Sequence, residues 1–432
     1  MGTRATSRSP QQPGGVRRGR SAGASSVVFG MNASTQRTLL ITLTGRDRPG
    51  VTSRLFNTLS TFPITVADVE QVVIRGRLVL GVLVAYDSDT DIGRVWSAAE
   101  QVAADLDMEI ELSTGRENRT PKRRGRLHVT VLGSPLLPAA MAGIAGRIAA
   151  YGANIDRIER LAAHPVTCIE LEVSGADPIG LGAALATEAA EQRVDVAVQR
   201  AGLHRKAKRL IVMDFDSTLI QGEVIELLAS RAGCEAKVAE ITAAAMRGEL
   251  DFEASLRERV ALLAGLSAGV VDEVRRSVEL ASGARTFVRT LKRLDYKFAI
   301  VSGGFTQVTE ALMADLGIDY AAANTLEIVD GKLTGRLTGP LIDRAAKAAA
   351  LRRFAADARV PISQTVAIGD GANDLDMIKA AGLGIAFNAK PMVRQHADTA
   401  VNVPHMDAIL FLLGISREEI DAADAEDTAI AG

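Results

Sequence analysis

The sequence predicts an α/β chain in which a parallel, doubly wound sheet with an inserted helical cap follows two copies of a small βαββαβ module. Three observations carry this reading. The apolar run from Arg209 to Met213 is what a buried parallel strand needs, and it ends in Asp214-Phe-Asp216. Similar runs end in Ser302-Gly303-Gly304 and Gly369-Asp370-Gly371, and open α/β sheets bind ligands at the carboxyl ends of their strands. An offset of 88 residues lays Gly45 on Gly133, Asp68 on Asp156 and Leu80–Val84 on Cys168–Glu172, which marks a duplicated unit.

Composition bounds the rest. The chain has 432 residues, enough for two to four domains at roughly 150 each. Hydrophobic residues make up 47% but aromatics only 4%, so the cores must be built from Ala, Val, Leu and Ile. Lys and Arg total 50 against 52 acids, a balance that asks for neither nucleic acid nor an anionic membrane. Cys168 and Cys234 lack disulfide or metal spacing and read as thiols of a reducing, cytoplasmic compartment. No apolar run approaches the roughly 20 residues of a membrane helix. Residues 1–36 hold no acid, several arginines and much Ser, Gly and Pro. They are expected to be a disordered tail, with Met31 as a second candidate start.

The first module covers residues 37–113. Thr38–Thr44 reads as a strand, and Gly45-Arg-Asp-Arg-Pro-Gly50 is turn chemistry leading into a helix. Val51, Leu55, Phe56 and Leu59 form a helical stripe. Strands at Ile64–Ile74 and Leu78–Ala85, a helix near Ile92–Leu106 and a strand at Met108–Leu112 complete the unit. After a polar linker, 114–125, the order returns over 126–200, with a helix opened by the cap and proline of Asp177-Pro178. Both copies are ferredoxin-like, and both resemble ACT domains, the amino-acid-sensing modules of metabolic enzymes. The first carries that family's D-R-P-G turn from Asp47 to Gly50. The second has Ser134-Pro-Leu-Leu-Pro138 there, but its Gly152-Ala-Asn-Ile-Asp156 is similar to the family's G-x-N-I segment. The resemblance implies homodimeric pairing and a small ligand such as serine, with Asp47, Gly50 and Asn154 as regulatory candidates. Dimer contacts alone are the plainer alternative.

The basic run His204–Arg209 reads as a solvated linker over 201–209. A catalytic domain is expected over 210–415, with 416–432 as a tail. Glu223–Ala232, Ala236–Met246 and Phe252–Ala264 show helical spacing, giving a cap over about residues 223–283 that closes on substrate. Val329–Pro340 reads as a hairpin with Asp330-Gly331 at its turn.

Four segments resemble the motifs of the haloacid dehalogenase (HAD) superfamily, a Rossmann-like α/β fold. They are D-x-D-x-T at Asp214–Thr218, strand-Ser-Gly at Ser302-Gly303, the helix-opening Lys347, and G-D-G-x-N-D at Gly369–Asp374. The resemblance implies that Asp214 is a nucleophile forming an aspartyl phosphate and that Asp216 is a general acid and base. Ser302, Gly303, Lys347 and Asn373 would bind phosphoryl oxygens. Asp214, the backbone carbonyl of Asp216 and Asp370 would hold Mg²⁺, with Asp374 orienting a metal water. Lys332 and Arg344 are local competitors of Lys347. The hairpin is similar to the D-G-x-L-T-G element of the phosphoserine phosphatase branch. That branch uses a cap glutamate and arginine on the substrate's ammonium and carboxylate, which Glu223 and Arg259 match, although spacing alone leaves Arg257 equally eligible. The expected activity is hydrolysis of O-phospho-L-serine, the last step of serine synthesis. The alternatives are another small phosphomonoester, phosphotransfer, or an amino-acid-responsive protein that only binds.

Overall fold

The computed structural model describes residues 37–116, 125–246 and 249–431, so the basic stretch 1–36 and most of the 114–125 linker lie outside the described residues. The chain divides into two compact units, residues 1–120 and 121–432. In the first, β1 (Arg37–Arg46), β2 (Ile64–Ile74), β3 (Arg77–Tyr86) and β4 (Glu109–Arg116) form one antiparallel sheet in the order β2-β3-β1-β4. Leu39, Ile41 and Leu43 alternate inward along β1, and Leu78, Leu80, Val82 and Val84 do so along β3. The helices Val51–Leu59 and Ile92–Asp105 cover that face with Val51, Leu55, Val95 and Ala99. β4 runs further than expected: Thr114, Gly115 and Arg116 are ladder residues paired with Leu39, Thr38 and Arg37, not linker.

The second unit opens with β5 (Leu127–Gly133), β6 (Asn154–Ala162), β7 (Thr167–Ser174) and β8 (Asp195–Arg200), in the same relative order as the first module. Asp177 caps the helix Pro178–Gln192 by accepting from the Gly180 N–H at 2.8 Å. Next come β9 (Leu210–Met213), β10 (Lys297–Phe305), β11 (Tyr320–Val329), β12 (Lys332–Thr338), β13 (Thr365–Gly369), β14 (Gly384–Phe387) and β15 (Thr399–Val401). β10, β9, β13, β14 and β15 are consecutive parallel neighbours, and every residue of β9, β13 and β14 is buried, as a sheet covered on both faces demands. Four helices, Val224–Ala232, Glu235–Met246, Phe252–Ala261 and Ala268–Ser277, form the cap between β9 and β10. Ile220 and Leu280 bridge at its base. The hairpin turn has positive φ at both Asp330 and Gly331, the primed geometry that Asp-Gly favours. Its second strand also holds the cap, since Gly265 N–H donates to Leu333 O and Leu333 N–H to Leu266 O, both at 2.8 Å.

The domain-by-domain expectation departs from the structure at the second module. Thr399 of β15 pairs antiparallel with Ala197 of β8, so one eleven-stranded sheet runs β12-β11-β10-β9-β13-β14-β15-β8-β5-β7-β6. The basic run between them is not a solvated linker. Arg205 and Lys208 are buried. Lys208 Nζ donates to the carbonyls of Ser363 at 2.7 Å and Gly382 at 2.8 Å. Arg205 forms a bidentate pair with Glu170 of β7 and donates through Nε to Leu412 O at 3.2 Å. The stretch read as a tail is also ordered: Arg417–Ala431 is a helix, and Arg293 pairs with its Asp424 at 2.7 Å.

Burial alone would raise the Glu170 carboxyl, but the bonds from His128 and Arg205 outweigh it and hold the group down at about 2. A depressed folded-state value contributes stability that is complete above the unfolded value of about 4.3 and is lost as pH falls from there toward 2. Glu170→Gln strips Arg205 of its buried counter-charge. Urea unfolding at pH 7 should show a loss of roughly 3 kcal/mol, and the variant's stability should change less than the parent's between about pH 5 and about pH 3.

Candidate active site

The site forms where β9, β10 and β13 end side by side. The N–H of Asp214 donates to Ile368 O at 2.9 Å, which locks the tip of β9 against β13. The chain then turns sharply. Ser217 takes φ +55°, and its N–H bonds to Gly222 O at 2.9 Å, so the two carboxylates project to different neighbours. Asp214 Oδ2 meets Lys347 Nζ at 2.7 Å, and Lys347 meets Asp374 Oδ1 at 2.7 Å. Lys347 has no exposed surface. It lies in the first turn of the helix Arg344–Asp357, whose start is capped by Asp343 through the Ala346 N–H at 2.7 Å. Its competitors fall elsewhere: Lys332 is exposed in the hairpin and Arg344 pairs with Asp376. Asp370, at the end of β13, accepts from Thr218 Oγ1 at 3.0 Å.

Carboxylate oxygens of Asp214, Asp370 and Asp374 lie within 4.8 Å of one another. Three acids face one ammonium, so the cluster keeps a buried surplus of negative charge. Burial and the Asp374 charge push the Asp214 carboxyl well up, against the pull of Lys347. The same two causes raise Asp370 to about 6. Burial opposes the charge on Lys347, but the two carboxylates beside it prevail and raise its ammonium above the ordinary lysine value. An all-oxygen cluster with excess charge fits a hard divalent cation, which would return Asp214 and Asp370 to the ionised form. Asp374 has both oxygens engaged, by Lys347 and by the Gly371 N–H at 3.0 Å, so Asp214 and Asp370 are the better placed to touch the ion.

Asp216 points away from this cluster. Its Oδ1 accepts from the Val224 N–H at 2.8 Å and its Oδ2 from Ser302 Oγ at 3.0 Å, while burial raises its carboxyl. Ser302 Oγ also accepts from the Gly304 N–H at 2.7 Å. Any Cβ at Gly304 would come within 2.5 Å of Asp216 Oδ2, so the second glycine of the Ser-Gly-Gly turn leaves room for the acid. Gly303 donates nothing through a side chain, but its carbonyl is fixed by Asn324 Nδ2 at 2.7 Å.

The cap adds an acid and an arginine. Glu223 precedes the helix Val224–Ala232, and Arg259 lies in the last turn of Phe252–Ala261, 3.8 Å away. Arg259 is buried with its Nε bonded to Ser255 O, whereas Arg257 is exposed and paired with Glu253. The structure therefore separates two arginines that spacing could not. Phe252 packs over Gly303, with Cζ 3.3 Å from where a Cβ would stand. Asn373 is half-buried, with Oδ1 lying over Gly371. Of the regulatory candidates, Asp47 and Gly50 are exposed in the first unit and Asn154 is exposed in the second. Gly50 holds φ +95°, which explains a glycine there.

Sequence reading missed Thr218 as a partner of Asp370, and it missed Lys390. The Lys390 N–H bonds to Asp370 O at 3.3 Å, and its exposed ammonium favours the ionised forms of both Asp370 and Glu223. Its signal was present, since Ala389-Lys390-Pro391 follows β14 at the carboxyl end of a parallel strand.

Known proteins share the sequence and domain order of this chain. Residues 211–379 match the model of haloacid dehalogenase-like hydrolases, and residues 37–113 and 127–199 each match an ACT domain model. A phosphoserine phosphatase of Streptomyces coelicolor is 61% identical, over 90% of this chain and 94% of that protein. Phosphoserine phosphatase SerB2 of Mycobacterium tuberculosis is 52% identical, over 91% of this chain and 97% of that one. Among solved structures, a probable phosphoserine phosphatase from Vibrio cholerae superposes with TM-score 0.55 at 35% identity, covering 71% of this chain and 91% of that one. Fold and site thus define a haloacid dehalogenase-like hydrolase carrying two ACT domains. Within that class, the chain belongs to the phosphoserine phosphatase family.

Lys347→Met would leave Asp214 and Asp374 buried without their shared cation. Urea unfolding of the metal-free protein should show a loss of about 3–5 kcal/mol, and adding Asp374→Asn should recover part of it.

Proposed function

We propose that this chain is a Mg²⁺-dependent phosphatase that converts O-phospho-L-serine to L-serine and phosphate, as the last step of serine synthesis in the cytoplasm. The observation that carries the reading is the convergence of Asp214, Asp216, Ser302, Lys347 and Asp370 beside a cap that presents Glu223 and Arg259. Asp214 attacks phosphorus and forms an aspartyl phosphate as the serine oxygen leaves. Asp216, whose carboxyl is raised by burial, donates its proton to that leaving oxygen. As a carboxylate it then removes a proton from the water that hydrolyses the intermediate. Lys347, Ser302 and the backbone amides around Gly303 and Gly304 neutralise the transferring group, and Asn373 reaches a phosphoryl oxygen. Asp214, the carbonyl of Asp216 and Asp370 would hold magnesium, which would supply charge stabilisation, and Asp374 would orient one of its waters. Arg259 takes the substrate carboxylate and Glu223 its ammonium.

Asp214→Asn removes the nucleophile while keeping its shape. Phosphate release from phosphoserine should fall by at least about 10³-fold, with the parent requiring Mg²⁺ and preferring phosphoserine over phosphothreonine and sugar phosphates. Equal release by variant and parent sinks the mechanism.

Serine is the natural ligand of the ACT domains in this reading, with Asp47, Gly50 and Asn154 at its sites, and the chain acts as a homodimer. Support for pairing comes from β2, where Val66, Val69, Val72, Val73 and Ile74 are exposed. Because Gly50 has positive φ, Asp47→Ala is a cleaner probe than any residue placed at Gly50. Calorimetry should show serine binding to the parent and weaker binding to Asp47→Ala.

A further inference from the structure

The turn that carries Lys390 is held from two sides. Towards the site, the Lys390 N–H bonds to Asp370 O at 3.3 Å. On the other side, the Asn388 N–H bonds to Val401 O at 2.8 Å, and β14 pairs with β15 over Ile385–Phe387. β15 has three residues, and β8 meets it at the single pair Thr399 and Ala197. So short a strand needs a further anchor to hold its register. Asp195, the first residue of β8 and itself buried, supplies one. Its Oδ2 accepts from the Asn402 backbone N–H and its Oδ1 from Asn402 Nδ2, both at 2.6 Å. Asn402 Oδ1 accepts in turn from Arg394 Nη1 at 3.5 Å, at the far end of the helical turn Pro391–Arg394 that Lys390 begins. One carboxylate of the second ACT domain thus holds Asn402, which follows β15 and bonds onward to Arg394.

We infer that Asp195 is a positioning residue for catalysis, setting the place of Lys390 next to Asp370 through Asn402, β15 and the Asn388–Lys390 turn. The inference rests on the reading of the site as a phosphoserine phosphatase. An exposed ammonium at the mouth attracts an anionic substrate in the ground state and the transition state alike, so displacing it changes KM more than kcat. Gln199 provides the contrast. It belongs to the same strand β8 and binds the catalytic domain through Leu412 O at 2.8 Å, on a route that does not touch β15.

The test is steady-state kinetics of the full chain on phosphoserine with Mg²⁺. Lys390→Ala and Asp195→Asn should each raise KM about fivefold with kcat within about twofold, and the double variant should be no worse than Lys390→Ala alone. Gln199→Ala should lower the melting temperature and leave both constants unchanged. Should Asp195→Asn fail to fold by circular dichroism, Asn402→Ala makes the same comparison, because it keeps the backbone half of the clamp. A parent-like KM in the clamp variant, an additive double variant, or an equal KM rise in Gln199→Ala would each overturn the inference. A parent without phosphoserine turnover removes the functional reading instead, and the inference with it.

Discussion

The arrangement depends on one buried ammonium. Lys347 has no exposed surface and touches two carboxylates, Asp214 and Asp374, that come from different strand ends. Two acids forced together out of water cannot both stay ionised unaided, and removing a lysine from water is costly as well. Each burial is tolerable only because of the others. The contact therefore joins the helix Arg344–Asp357 to the chain that leaves β9 and β13 and fixes Asp214 beside Asp370 and Asp374.

Much of this was legible in the sequence because the central strands are covered on both faces and must be continuous apolar runs, with their functional residues at the ends. The hairpin and the capped helices were legible for equally local reasons, namely Asp330-Gly331 and Asp177-Pro178. Choices between near neighbours were not. Arg257 and Arg259 stand two residues apart, about 200° around a helix, so the direction of the core decides which one is buried. Lys347 was separable from Lys332 and Arg344 only once each had a partner or an exposed position in space.

The basic run His204–Arg209 shows why charge composition misleads. Nothing near Arg205 or Lys208 in the chain announces burial. Their partners are Glu170, Leu412, Ser363 and Gly382, and those carbonyls lie more than 150 residues away. The merger of the second module with the catalytic sheet was hidden for the same reason, since the pair that joins them, Thr399 with Ala197, lies 202 residues apart in the chain. Duplication makes the contrast sharper: two modules share one strand order, yet only the second has its β8 edge occupied by a catalytic-domain strand within the same sheet.

The eleven-stranded sheet ends at β12 on one side and at β6 on the other. The outer side of β12 is bonded to the cap loop at Gly265–Leu266, whereas β6 is the last strand at the other end. The last strand of a sheet invites the strand of a stray chain to add on, and here an added strand would extend the same sheet that carries the site. The sequence of β6, Asn154-Ile-Asp-Arg-Ile-Glu-Arg-Leu-Ala162, places four charges of both signs within five residues there. Such gatekeepers make unwanted polymerisation unfavourable without sealing the margin.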